Sequence, residues 1–385
     1  MMEKPLTENA HILDAPEAPK QSRFIQGFHL FNQNRMAIVG LVIFVIFFMT
    51  AVAGVVLTSG QDPVFNPALV RLQEKLLPPL SRPNLETLKS HEAPKLGIYL
   101  LGTDDLGRDV FARMLQGAWV SLTVGFVAVG IAVIVGIFMG GLAGYYGQGG
   151  IRYDQILTVS LLLSGIVLFL LGWVKFGCGF FAVGIFSLIL SFIAGRPKQD
   201  HFMPGWLRKT AFSFDTLIMR MVDIMLCFPS FFLILTVVAL LPASIYNIMI
   251  VIGLTSWMGT TRFVRAEFLS LREQDFVSAA KALGVGDFRI IFRHMMPNAI
   301  APVLVSSTIG IATAILTEAG LSFLGFGVPP PYATWGNILS DGKRFIFDAP
   351  WLTFVPGVAI LIVVLCFNLF GEGLKDALNP KLRQE

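Results

Sequence analysis

One stretch of 38 residues, Ile224–Thr261, contains no charged side chain. A helix needs about 20 apolar residues to cross the hydrocarbon core of a bilayer, so this stretch is long enough for two crossings. Pro242 lies near its middle, and a proline interrupts the hydrogen bonding of a helix. We therefore expect two membrane spans here, joined by a tight turn at Pro242.

Six further apolar segments have the length of a span. They are Met36–Leu57, Ala118–Tyr145, Ile156–Val174, Phe176–Gly195, Asn298–Gly325 and Pro350–Gly371. Of the 385 residues, 55% are hydrophobic and 14% are charged, against roughly 25% charged in soluble domains. The sequence thus predicts an all-α membrane protein, a polytopic bundle of eight helices in a lipid bilayer. This composition excludes an ordinary soluble enzyme, and nothing in it indicates a nucleic-acid partner.

The distribution of Lys and Arg predicts the orientation, because cytoplasmic connections of membrane proteins are enriched in both. With the N-terminus placed in the cytoplasm, the cytoplasmic segments contain 19 of these residues and the opposite side contains 10. We expect a multi-pass protein of the cell inner (cytoplasmic) membrane with both termini in the cytoplasm. Residues 1–35 are expected to form a cytoplasmic tail. The apolar residues of Phe24–Phe31 have the spacing of a helix that lies at the membrane interface. The alternative is a tail without a helix.

Sequence motifs for catalysis are missing. There is no GxxxxGK[ST] phosphate-binding loop and no HExxH, and the five histidines are scattered, so we expect no ATP hydrolysis by this chain and no metal site. Residues 278–281 fit the SxxK pattern of some acyl-transfer enzymes, but neither companion motif is present. The sequence therefore predicts a protein that is not an enzyme.

The most informative segment is the polar interruption between two spans, residues 262–297. Asp275 is placed to cap a short helix with Phe276, Ala280 and Leu283 on one apolar face, and Gly284 is placed to end it in a left-handed conformation. Such a face in the cytoplasm predicts docking onto a partner. A hairpin that lies on lipid headgroups is the alternative.

A second helix of this hairpin is expected to begin at Asp287, as its cap, and to end at Pro297, where the next span starts. The pair Ala279-Ala280, followed by Gly284 and then by Pro297, resembles the coupling motif of binding-protein-dependent ABC importer permeases. The first position of that motif is typically Glu, and here it is Ser278. The substitution removes one favourable interaction with the helix dipole.

Four further segments narrow the resemblance: 34–40, 101–113, 317–330 and 354–380. Together they are similar to the C-type permease subunit of dipeptide and oligopeptide ABC importers, which has a type-1 transmembrane domain. The resemblance implies half of a translocation path for peptides, completed by a homologous second permease subunit. It also implies two ATP-binding subunits that carry ATP and Mg²⁺, an extracytoplasmic solute-binding protein, and a coupling site formed by Phe276, Ser278, Ala279, Ala280, Leu283, Gly284 and Pro297.

The chain departs from the six-span family core at residues 147–213, where an even number of additional spans leaves the sidedness of the later segments unchanged. The expected organisation is a first span at 36–57, an extracytoplasmic loop at 58–117, a transmembrane domain at 118–372 and a cytoplasmic tail at 373–385. Within that domain we distinguish an inserted span pair, 147–213, and a coupling hairpin, 262–297.

Other residues are open to two interpretations. Glu318, inside a span, either lines the translocation path or bonds a neighbouring helix. Gly136, Gly140 and Gly144 either allow close helix packing or line a wide path. The outer residues 104–109, rich in Asp and Arg, either meet a binding protein or make local hydrogen bonds.

The substrate is also open. An importer of the same build for a nickel chelate or glutathione is the first alternative. An ion-gradient-driven secondary transporter is less favoured, because internal repeats and multiple intramembrane charges are absent from the sequence.

Overall fold

A computed structural model describes residues 31–32, 34–60, 62–86, 88, 93–147, 150–152, 158–164, 166, 179–180, 182–185 and 210–378. The expected interfacial helix at Phe24–Phe31 and most of the inserted span pair lie outside the described residues. The described part is mostly helical, with one short two-stranded sheet, so the expected all-α class holds except for that ribbon.

Helix α1, Arg35–Thr58, begins where Asn34 accepts hydrogen bonds from the backbone N–H groups of Met36 and Ala37. The Asn34 side chain also donates to Asp376 at 2.9 Å. Asp376 belongs to the last helix of the chain, α10, Trp351–Leu378, which packs along α1. The first and last helices are therefore neighbours, and their bounds agree with the predicted spans within a few residues at most ends.

Helix α2, Val110–Tyr146, has 37 residues and is about 55 Å long at 1.5 Å per residue. It begins eight residues before the expected span because Asp109 accepts the backbone N–H of Phe111 and so caps it. The loop expected at 58–117 consequently ends at Asp109, where α2 begins. Helix α2 lies at the centre of the bundle and contacts most of the other long helices.

The glycines of α2 allow another helix to approach closely. Helix α6, Trp257–Arg272, packs against them. A Cβ atom added at Gly140 would lie 2.7 Å from Cβ of Val264, and one at Gly144 would lie 2.5 Å from Cβ of Phe268. The stripe of small residues thus serves helix packing, the first of its two interpretations.

Gly144→Val is expected to destabilise the protein by roughly 1–3 kcal/mol, because the added side chain overlaps Phe268 in a filled interface. Thermal unfolding of the detergent-purified protein measures this effect. The matched control is Gly130→Val in the same helix, since a Cβ there meets no atom within 4 Å. Equal melting temperatures for the two variants would contradict the packing argument.

The charge-free stretch Ile224–Thr261 is divided more often than expected. Helices α3 (Phe214–Leu226) and α4 (Ser230–Leu240) meet at Pro229 with a bend of 81°. Helix α5, Ile245–Leu254, follows the expected break at Pro242, and a third break separates it from α6. Because α4 and α5 have only 11 and 10 residues, neither can cross a bilayer alone.

A short helix, α7, Asp275–Ala282, leads to the long helix α8, Asp287–Phe323. Helix α8 is a π-helix over Ile290–Met295 and an α-helix from Met296. Pro297 therefore does not end a helix, contrary to expectation. It has no N–H for the bond to the fourth preceding residue, and the wider π turn before it accommodates this loss.

Two strands lie at the ends of the 147–213 segment. Strand β1, Gly150–Arg152, pairs antiparallel with β2, Thr210–Ser213, with Gly150 opposite Ser213. The rings of Tyr146, before β1, and Phe214, after β2, are 5.8 Å apart. The chain therefore leaves and re-enters the described bundle at one place.

Four helices within the described residues are long and apolar enough to cross a membrane: α1, α2, α8 and α10. The bent pair α3–α4 makes a fifth if it is counted as one span. The main apolar core lies among α2, α4, α5, α8 and α10, together with Trp335 of helix α9, Trp335–Gly342. A second apolar cluster joins the end of α2 to α6, α7 and the start of α8.

Candidate functional site

The hairpin between α6 and α8 consists of α7, a turn at residues 283–286 and the first turns of α8. Its caps differ from the prediction: Gln274 and Gly286 occupy the N-cap positions and make no side-chain cap bond, while Asp275 and Asp287 are the first helical residues. There the carboxylates still interact favourably with the helix dipoles. Asp287 also accepts a hydrogen bond from Tyr145 at 2.6 Å, which the sequence did not indicate.

Gly284 ends α7 as predicted. Its φ is +73°, in the left-handed region that favours glycine. The N–H of Gly284 donates to the carbonyl of Lys281 at 3.0 Å, and that of Val285 donates to the carbonyl of Ala280 at 3.1 Å. These two bonds form a Schellman motif, which satisfies carbonyl groups that the helix end leaves open.

Helix α7 presents two different faces, and the structure corrects the expected grouping of Phe276, Ala280 and Leu283. Ala280 is 6% exposed and lies with Val277 in the second apolar cluster, whereas Leu283 is 83% exposed. Ser278 and Ala279 are exposed as well. Ala280 therefore packs the hairpin onto the bundle, and a docking face has to be formed by other residues.

The exposed apolar side chains of the hairpin come from both of its arms. Phe276 is 37% exposed and Leu283 83% on the α7 side, and Phe288 is 76% and Phe292 41% exposed on the α8 side. The rings of Phe288 and Phe292 are 4.5 Å apart. We call these four side chains the hairpin apolar face. Large apolar side chains exposed on both arms of a hairpin are what an interaction surface requires.

Glu318 of α8 is fully buried. Ser322 donates a hydrogen bond to its Oε1 at 2.6 Å, and the hydroxyl groups of Ser121 and Thr334 also face the carboxyl. Ser121 belongs to α2 and Thr334 caps α9. Glu318 therefore lines no open path in the described part of the chain. Its hydrogen bond is made within α8, and hydroxyl groups of α2 and of the start of α9 lie near its carboxyl.

A network of four charged groups holds the loop before α2, which is expected on the outer side, to α9. We call it the outer ion network. Asp104 pairs with Arg108 at 2.7 Å and with Arg113 at 2.5 Å, and Asp341 pairs with Arg108 at 3.1 Å and with Arg113 at 2.9 Å. Asp104 and Arg113 are buried. The segment 104–109 that the sequence analysis singled out includes Asp104 and Arg108 but not Arg113. Asp341 is more than 200 positions away in the sequence, so its part in the network could not be predicted.

Local hydrogen bonding explains two of the acidic residues in the segment 104–109, Asp104 and Asp109. Asp104 accepts the backbone N–H groups of Leu106 and Arg108, both at 2.9 Å, and Asp109 caps α2. Burial also raises the pKa of Asp109 above its ordinary value. These contacts favour the interpretation that the motif shapes the loop.

Asp105 lies beside this network at a cavity of about 460 Å³ that Tyr332 and Asn337 also line. Burial raises the pKa of Asp105, and the nearby carboxylates of Asp104 and Asp341 raise it further. Oxygen atoms of these three carboxyls lie within 4.8 Å of one another. Two of the three are already paired with arginines, so this arrangement is not evidence for a metal site.

Residues 202–384 match the family described as "Binding-protein-dependent transport system inner membrane component". The chain is 35% identical to the dipeptide transport system permease protein DppC of Alkalihalophilus pseudofirmus, over 98% of this chain and 99% of the relative. It is 31% identical to DppC of Haemophilus influenzae, over 96% and 97%. It is 30% identical to the oligopeptide transport system permease protein OppC of Bacillus subtilis, over 92% and 88%.

A solved chain of the MetNI methionine ABC transporter, in an inward-facing conformation, is similar over 69% of this chain and 95% of its own length. The TM-score is 0.43 and the identity is 14%. The sequence relatives cover nearly the whole chain at 30% identity or more. On that ground the chain belongs to the family of binding-protein-dependent transport system inner-membrane components, the permease subunits of ABC importers.

Proposed function

We propose that this chain forms half of the path by which di- and oligopeptides cross the cytoplasmic membrane in an ATP-driven importer. The observation that carries the proposal is the near full-length similarity to permeases named for dipeptide and oligopeptide transport. The chain itself is a permease subunit and not an enzyme. ATP and Mg²⁺ are bound by partner subunits.

The proposed complex contains a homologous second permease subunit, two ATP-binding subunits and an extracytoplasmic binding protein that delivers the peptide. The coupling residues are Phe276, Ser278, Ala279, Ala280, Leu283, Gly284 and Pro297. Within this set, the exposed Phe276 and Leu283 contact the ATP-binding subunit together with Phe288 and Phe292. The exposure of the hairpin apolar face supports this assignment. The buried Ala280 acts indirectly, by packing the hairpin onto the bundle.

The proposed transport mechanism depends on how the hairpin is attached to the helix bundle. Its inner side shares one apolar cluster with the ends of α2 and α6, and protein interiors are close-packed and deform little. When ATP brings the two ATP-binding subunits together, the hairpin moves with them and carries α2 and α6. The path then alternates between inward-open and outward-open arrangements.

Reconstitution tests the substrate class. The full complex, placed in proteoliposomes with its binding protein, is expected to accumulate a labelled dipeptide only when ATP is supplied. Parallel assays use a nickel chelate and glutathione. Uptake of one of these without uptake of dipeptides would contradict the peptide assignment, and uptake driven by an ion gradient without ATP would contradict the importer class.

The proposed topology has six core spans and an inserted pair, with both termini in the cytoplasm. The core spans are α1, α2, α3 with α4, α5 with α6, α8 and α10. The proposal rests on the distribution of Lys and Arg and on the strand pairing at the ends of residues 147–213. Labelling of single cysteines at positions 90 and 203 tests it: position 90 is expected to react from outside and position 203 from inside.

Removal of Gly147–Ser213 and closure with a short Gly-Ser linker is expected to leave a core that inserts and assembles. The reason is that the rings of Tyr146 and Phe214 are already 5.8 Å apart. Co-purification with the ATP-binding subunits measures the outcome. The control deletes only Ile156–Val174, which leaves an odd number of inserted spans and should abolish assembly. Failure of both shortened chains would mean that the inserted segment belongs to the core.

A further inference from the structure

Tyr145 stands between the two arms of the hairpin. It lies in the last turn of α2 and is buried. Its hydroxyl donates to Oδ1 of Asp287 at 2.6 Å, at the start of α8. The Nζ atom of Lys281, near the end of α7, is 5.2 Å from the centre of its ring. One side chain of a membrane helix therefore contacts both sides of the Gly284 turn.

These two contacts are directional, unlike the apolar packing around them. A hydrogen bond to an ionised acceptor is roughly twice as strong as a neutral one and depends on its angle. A cation over an aromatic ring also requires a defined position. The apolar side chains below the hairpin, among them Val277 and Ile290, hold it against the bundle by close packing, and the two directional contacts add a defined angle to that attachment.

We propose that Tyr145 is a positioning residue, which fixes the angle of the hairpin against α2 so that movement of the hairpin becomes movement of the membrane helix. This inference rests on the proposed coupling function of the hairpin. Tyr145 lies outside the coupling motif, 142 positions before Asp287, and only the fold brings the two residues together.

The contacts of Tyr145 with the hairpin also lie close to the start of the inserted segment. Gly147, two residues after Tyr145, has a φ of +40°, and a Cβ atom there would meet the guanidinium of Arg272 at the end of α6. Tyr146 packs on Phe214, where the chain returns. The end of α2 thus contacts both the hairpin and the residues that flank the inserted segment.

Three variants of the assembled complex test the role of Tyr145. Tyr145→Phe keeps the ring and removes the hydroxyl. Asp287→Ala removes the acceptor, including its interaction with the neighbouring Tyr146, and Asp287→Asn keeps an oxygen that accepts the bond. Tyr246→Phe, an exposed tyrosine of α5, is the control. The readout is substrate transported per ATP hydrolysed in proteoliposomes, together with the amount of ATP-binding subunit that co-purifies.

Tyr145→Phe and Asp287→Ala are each expected to lower the transport-to-hydrolysis ratio by at least about fivefold, which is within the effect of losing one hydrogen bond to a charged group. Combining the two should add little, since both remove the same contact. Asp287→Asn should give a ratio between those of Asp287→Ala and the native protein, because it keeps an acceptor but a neutral one. Tyr246→Phe should stay within about twofold of the native ratio, and co-purification should be unchanged in all variants.

A native ratio in both Tyr145→Phe and Asp287→Ala would overturn the proposal for Tyr145 while leaving the hairpin function intact. A loss of assembled complex in step with transport would also overturn it, because the residue would then be merely structural. Failure of the coupling function itself has a different signature: a substitution at Gly284 would leave assembly and transport unchanged.

Discussion

Gly284→Val is expected to leave the protein in the membrane at near-native amounts and to uncouple it from its ATP-binding subunits. A residue with a Cβ atom in the left-handed conformation costs roughly 1–2 kcal/mol, and a β-branched one costs more. Relief of this strain breaks the bonds from Gly284 and Val285 to the end of α7 and turns the hairpin apolar face away. Co-purification of the ATP-binding subunits and substrate-stimulated ATP hydrolysis should fall by about tenfold or more, the equivalent of 1.4 kcal/mol.

Two further substitutions in the turn at residues 283–286 serve as matched controls for Gly284→Val. Gly286 lies two residues further, has a φ of −65°, and a Cβ there meets no atom within 4 Å. Gly286→Val should therefore keep most of the activity. Gly284→Asn should recover part of it, because asparagine tolerates the left-handed region. If Gly284→Val assembles and transports like the native protein, the hairpin is not the coupling element.

Asp104→Ala is expected to produce the largest loss of stability, about 3–5 kcal/mol, because it leaves the arginines that it pairs with partly uncompensated in a buried place. It also removes the acceptor for two backbone N–H groups of the outer loop. Thermal unfolding in detergent should show a clear decrease in the melting temperature. The outer loop should become more accessible to protease than the hairpin.

The control for this substitution is Asp223→Ala. Asp223 pairs with Arg262 at 2.9 Å, but both side chains are about half exposed, and such pairs contribute roughly 0–1 kcal/mol. A similar loss of stability in the two variants would show that burial of the outer ion network is not what makes it important. Arg220, which is exposed as well, lies 4.0 Å from Asp223.

Local chemistry made several parts of the fold predictable from the sequence. The bounds of α1 and the start of α10 follow from apolar runs, although α10 continues past the expected end at Gly371 to Leu378. The left-handed Gly284 follows from a glycine at the end of a short amphipathic helix. The break at Pro242 follows from the missing N–H of proline. Each of these features depends on residues within a turn or two of one another.

Predictions that required knowledge of a neighbouring helix were less successful. The spacing of Phe276, Ala280 and Leu283 on a short helix does not tell which side faces the bundle, and the structure buries Ala280. Asp287 is a residue type that often caps helices, which is why the sequence predicted that role. Its hydrogen bond from Tyr145 depends on the position of α2, which the sequence does not give. The break between α5 and α6 has no proline. Thr255 and Ser256 there donate to carbonyl groups of the preceding turn, a weaker local signal than a proline.

The sequence by itself determined that the chain lies in lipid, which segments are apolar enough to cross it, and where a capped hairpin interrupts them. These properties follow from transfer free energies and backbone preferences, which are local. The tertiary structure decided which face of the hairpin is exposed, that Glu318 is enclosed between helices, and that Asp341 completes the outer ion network. These are pairings between residues far apart in the chain, and their partners are fixed only when close-packed helices bring them within hydrogen-bonding distance.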